Sequence, residues 1–132
     1  MKHMLDTNIV SHLFKRHPGV VKKMSALTPA DVCISSITEA ELLYGADKKQ
    51  SGGLKETIRA FLSTITIYDW DREAAATYGK LRADMEKRGK VMGDLDQLIA
   101  AHALSRGTTI VTNDHAFGMV EELTVEDWIT AA

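Results

Sequence analysis

Cysteine is almost absent from this chain: Cys33 stands alone among 132 residues. A lone thiol excludes both a disulfide framework and a cysteine-built zinc site. Its setting in the apolar run Val32-Cys33-Ile34 marks it as a small core residue rather than a reactive one. Histidine offers no substitute, because His3, His12, His17, His102 and His115 show no zinc-ligand spacing. His102, in Ala101-His102-Ala103, reads as a packed helix residue. Aromatic residues make up only 6%, which argues against extensive base stacking. The formal net charge is −2, so no whole-molecule field draws a polyanion, and any nucleic acid must be held by local patches. No apolar run approaches the ~20 residues needed to cross a bilayer. The stretch Met1-Lys2-His3-Met4-Leu5-Asp6 lacks the apolar core of a signal peptide, and a cytoplasmic location is expected. A phosphate-binding glycine loop, internal repeats and low-complexity tracts are missing as well.

What is present is an apolar fraction of 45% in a chain of single-domain length. That is enough to bury roughly two-thirds of the unfolded surface, and one domain spanning 1–132 is expected. Short β-like runs recur at 2–5, 31–35, 65–68 and 109–112, separated by segments of helical periodicity. Such alternation predicts an α/β fold whose central parallel sheet, of four to five strands, is flanked by helices. Ser36 and Glu39 have capping-box spacing and open a helix to about Ala46. The apolar Leu42, Leu43 and Tyr44 on it suit either the core or a contact surface. Asp71 caps a long helix carrying Ala74, Tyr78, Leu81 and Met85 and ending near Gly89. Asp94 or Asp96 opens a further helix, with Leu95, Leu98, Ile99 and Ala103 on one face and Gly107 as its stop. Ser51-Gly52-Gly53 reads as a surface loop between helices.

Open parallel sheets carry their sites outside the carboxyl ends of the strands, which gives weight to Asp6 and Asp114, each just past a strand. Either residue also serves as a turn or helix cap. Glu41 on its helix and Asp96 in a first turn have equally plain readings, as a solvated face and a partner of the helix dipole. Converging carboxylates repel one another unless a cation lies between them. Mg²⁺ meets that need, being a hard ion that takes oxygen ligands and keeps several waters.

Four stretches then carry a resemblance: Met4-Leu5-Asp6-Thr7-Asn8, Ile34 through Gly45, Asp96 through Ala103, and Ile110-Val111-Thr112-Asn113-Asp114. Their order and spacing closely resemble the successive motifs of VapC-type PIN-domain toxins across nearly the whole chain. The resemblance implies a PIN-like fold and Mg²⁺-dependent (or Mn²⁺-dependent) RNA cleavage, for VapC-like proteins generally in a tRNA anticodon loop. It also implies neutralisation by a VapB-type antitoxin, within a homodimer and a larger toxin-antitoxin assembly. Carried over by position, the catalytic and metal-binding acids fall on Asp6, Glu41, Asp96 and Asp114, and Thr112 matches the hydroxyl residue before the last acid. Asp94 is either an outer contact or a cap. Glu39 has its capping role, Thr7 and Asn8 either hold carboxylates or start the first helix, and for Asn8 capping is favoured.

RNA needs cations near its phosphates. Lys15, Arg16, Lys22, Lys23, Lys48 and Lys49 read mostly as solvated charge. The group Arg82, Lys87, Arg88 and Lys90 is the preferred RNA contact, because it leads into the segment of Asp94 and Asp96. The rival reading is a non-catalytic PIN-like module that binds RNA or protein. An aspartyl-nucleophile phosphotransferase is disfavoured, since it wants a second Asp where Asn8 stands.

Overall fold

Strict alternation along the strands divides the interior into two layers. The computed structural model describes residues 2–130, with strands β1 (His3–Leu5), β2 (Val32–Ser35), β3 (Thr66–Tyr68), β4 (Thr109–Val111) and β5 (Val125–Glu126). All pair in parallel in the order β3-β2-β1-β4-β5. Met4, Cys33 and Ile110 face one layer, while Leu5, Val32, Ile34 and Val111 face the other. Successive side chains point to opposite faces, so a sheet covered on both sides needs apolar residues at every position. The four expected strands are all found, within one residue at each end. β5 is the addition, and its two residues are too short a signal to read in advance.

Helices α1 (Thr7–Phe14), α2 (Pro18–Ser25), α3 (Ser36–Lys48) and α4 (Gly52–Leu62) carry residues of the layer holding Leu5 and Trp128. Helices α5 (Arg72–Lys87) and α6 (Asp94–Arg106) cover the other face. α6 is buried on nearly every side, through Gln97, Ile99, Ala100, Ala101, His102 and Ala103. Its alanines suit close packing, and it ends where Gly107 turns left-handed at φ 66°. Leu95, expected on its buried face, is instead 47% exposed, because no neighbouring element covers it in the first turn.

Local capping departs from the sequence reading in three places. Ser35, not Ser36, caps α3 by accepting from the Ile37 amide, so the Ser36–Glu39 capping box does not form. Ser51 caps α4 through the Leu54 amide, and Gly52 and Gly53 are its first turn rather than loop. α6 begins at Asp94, but Gly93 holds the capping position without a side-chain bond. Asp71 caps α5 as expected, accepting from the Ala74 amide. The trio on α3 splits, with Leu42 in the core and Tyr44 exposed. One glycine is required by contact: a Cβ at Gly19 would stand 2.5 Å from the Trp128 carbonyl oxygen, where the C-terminal segment crosses α2.

Candidate metal centre at the carboxyl end of the sheet

The chain leaves β1 toward β2 on one side, and β4 lies on the other, so the strand order reverses between β1 and β4. This is where an open parallel sheet leaves a crevice. Asp6 follows β1 and Asp114 follows β4 by three residues, which brings residues far apart in sequence to the same edge.

Both aspartates are caps, as their plain readings held, and both also line one cavity. Asp6 Oδ1 accepts from the Thr7 amide at 2.7 Å and opens α1, so Asn8 is not the cap. Asn8 instead donates through Nδ2 to Asn113 Oδ1 at 3.0 Å, tying the first turn of α1 to the segment after β4. The other Asp6 oxygen accepts from Thr112 Oγ1 at 2.8 Å. Thr112 Oγ1 in turn accepts from the Asp114 amide at 3.0 Å, so a single hydroxyl registers both acids. Asp114 Oδ1 accepts from the Ala116 amide and caps a short 3₁₀ turn, His115–Met119. Thr7 Oγ1 donates to Glu41 Oε1 at 2.7 Å, which orients the glutamate of α3 toward the end of β1.

The cavity has a volume of about 360 Å³ and is lined by Asp6, Thr7, Asn8, Ser11, Glu41, Asp96, Asn113 and Asp114. All four expected acids therefore share one space. Asp94 does not line it, and Glu39 stays in the first turn of α3. Ser11 and Asn113 were not singled out from sequence. Asn113 had a signal in its place beside Asp114, and Ser11 stands four residues after Thr7, one helical turn on.

Burial pushes the Asp6 carboxyl above its usual range, against the Thr112 and Thr7 bonds, and the charges of Glu41 and Asp114 add to the rise. Asp96 is pushed up to about 6, by burial first and then by Asp6, Asp114 and Glu41. Mutual repulsion of this kind is what a cation relieves. The donors are all oxygen, which suits Mg²⁺ or Mn²⁺ over zinc. Among the described residues no three His, Cys, Asp or Glu side chains close into tight ligand spacing. An open set of carboxylates suits an ion that retains several waters.

A second hollow of about 110 Å³ adjoins the first, sharing Thr7, Ser11 and Glu41 and adding Phe14, Leu42, Leu54, Ile58 and Lys49. In the preferred RNA-contact group, two cations are already engaged. Arg82 is held by Tyr78 and Glu86, and Arg88 by Asp84 and the Met119 carbonyl. Lys87 and Lys90 remain exposed.

The PIN domain family matches residues 3–123. Similar along nearly the whole length is the tRNA(fMet)-specific endonuclease VapC of Shigella flexneri, 42% identical over 130 residues, covering 97% of this chain and 98% of the relative. Ribonuclease VapC2 of Haemophilus influenzae is 40% identical over 131 residues, covering 98% and 99%. Among solved structures, VapBC2 from Rickettsia felis bound to a DNA fragment from their promoter superposes with a TM-score of 0.89 at 35% identity, covering 97% of this chain and 99% of that one. The chain belongs to the PIN domain family, among the VapC ribonucleases. No helix among the described residues is long and apolar enough to cross a membrane.

Proposed function

We propose that this protein is the toxin of a type II toxin-antitoxin pair, a Mg²⁺-dependent endoribonuclease that hydrolyses a phosphodiester bond in a tRNA anticodon loop. The observation that carries this reading is the meeting of Asp6, Glu41, Asp96 and Asp114 around one open cavity at the sheet's reversal point. The name of the Shigella relative makes tRNA(fMet) the first substrate to try.

A bound divalent ion supplies Lewis acidity toward the phosphate and lowers the pKa of water. Asp6 and Asp96 would be the main holders, Glu41 would complete or orient the set, and Asp114, beside Asp96, would add its charge from the same side. Thr112 and Thr7 keep Asp6 and Glu41 in place by donating to them. Lys49, on the wall of the adjoining hollow, and the exposed Lys87 and Lys90 are the cations that approach RNA phosphates. A VapB-type antitoxin, homodimerisation and a larger toxin-antitoxin assembly complete the reading, following the VapBC complexes. A cytoplasmic location goes with it, because the tRNA is there.

The test incubates the protein with total tRNA and with tRNA(fMet), in Mg²⁺, in EDTA, and as Asp6→Asn. Cleavage confined to the unmodified protein in Mg²⁺ is expected. Equal breakdown in all three conditions would sink the metal reading. Tight binding without any cleavage would make the protein a non-catalytic module.

A further inference from the structure

The acids of the site come from elements that must be held apart at a set distance. Asp96 stands in the first turn of α6 and Glu41 midway along α3, and no bond joins these two carboxylates directly among the hydrogen bonds described. Polar bonds away from the cavity connect their helices instead. Trp70, in the link between β3 and α5, donates its indole Nε1–H to the Leu98 carbonyl of α6 at 2.9 Å. Its backbone amide donates to Ser36 Oγ, in the first residue of α3, at 3.0 Å. One residue thus touches both acid-bearing helices. Beside it, His102 Nδ1 of α6 hydrogen-bonds with Ser35 Oγ at 2.8 Å, and Ser35 is the cap of α3.

His102 is fully buried and its Nε2 has no partner, a costly arrangement where an apolar side chain would pack without penalty. Directional bonds explain what apolar packing alone does not supply. Apolar layers tolerate small slides of one helix along another, whereas a hydrogen bond weakens steeply once its length and angle depart from ideal. The anchored groups also lie close to the acids in sequence. Leu98 is two residues from Asp96, and Ser36 is five residues from Glu41, about 7.5 Å along the helix.

We propose that Trp70 and His102 are positioning residues: together they brace α6 against the start of α3 and so set the separation of Asp96 from Glu41. The inference rests on the reading of those acids as metal holders. Its test titrates Mn²⁺ alone into the full-length protein and into Trp70→Phe, Ser36→Ala, His102→Leu and, as a control, Asp96→Asn, counting free Mn²⁺ by electron paramagnetic resonance. The brace variants are expected to bind Mn²⁺ about tenfold more weakly, the lower end of what is lost when groups that orient metal ligands directly are removed. Their kcat on tRNA should fall with KM unchanged, and raised Mn²⁺ should restore the rate. Mn²⁺ affinities within twofold of the unmodified protein in Trp70→Phe and Ser36→Ala, whatever their melting temperatures, would overturn the Trp70 half of the brace, and the same result in His102→Leu would overturn the His102 half. Ser36→Ala leaves the indole in place, so it decides the matter if Trp70→Phe does not fold. Should Asp96→Asn bind Mn²⁺ as well as the unmodified protein, the metal reading fails and takes the brace with it. If only Asp96→Asn loses binding, the brace alone fails.

Discussion

Met4 and Asp6 stand two residues apart at the end of β1, and both are buried. Met4 joins Ile99, Ile110 and Phe117 in a layer from which water is excluded, where each contact favours the folded state. Asp6 looks into the cavity with Glu41, Asp96 and Asp114, where burial and like charges oppose the ionised form. The layer is built for stability and the cavity at its expense. Neutralising an acid and trimming the core should therefore move activity and stability in different directions.

The largest effect expected is on cleavage. Asp6→Asn should lower tRNA cleavage by about a thousandfold or more, on the scale of losing a main electrostatic contributor to the transition state. Its melting temperature should hold or rise, since a disfavoured buried charge is removed. A large drop in melting temperature alongside the lost activity would erase the contrast. Ile99→Ala should do the opposite, costing about 2–5 kcal/mol in denaturant unfolding. The fraction that remains folded should keep its cleavage rate.

The metal-free cavity should also announce itself through pH. Asp96 titrates near 6 in the folded chain, above the ordinary carboxylate value it takes when unfolded. Below about pH 4 both states hold the proton and there is no penalty; as pH rises toward 6 the unfolded chain ionises first, and folding loses stability. Melts in EDTA should therefore decline across that window from this group. The rise in melting temperature on adding Mg²⁺ should be larger at pH 7.5 than at pH 5. Equal rises at the two values would mean that the acids do not meet a cation.

The smallest effect belongs to Cys33, in the same apolar layer as Met4. Burial raises its thiol to about 11, so little thiolate exists at neutral pH. Labelling by a thiol reagent should be slow in the folded protein and fast once denatured, with no loss of cleavage beforehand.

Much of the architecture was legible because the signals are local. Four strands announced themselves as apolar runs, and Asp71 and Gly107 marked helix ends through groups that act within one turn. The caps at Ser35 and Ser51 were harder, since Ser35 and Ser36 compete for one role and the two glycines after Ser51 read as loop rather than as a first helical turn. Leu95 misled because periodicity says which side of a helix is apolar, but not which of its turns the neighbouring elements cover. The four acids were read as a set from their motifs, yet singly each had an ordinary role. Asp6 and Asp114 proved to be caps and cavity residues at once.

By itself the sequence determined the residue types, the parallel α/β order of elements and the family, because periodicity and motif spacing are properties of the chain. It took the packed fold to let Thr112 register Asp6 with Asp114, Thr7 hold Glu41, and Trp70 touch both acid-bearing helices. Those contacts join residues up to 106 positions apart. Their lengths follow from how strands pair and helices pack, which no local pattern records.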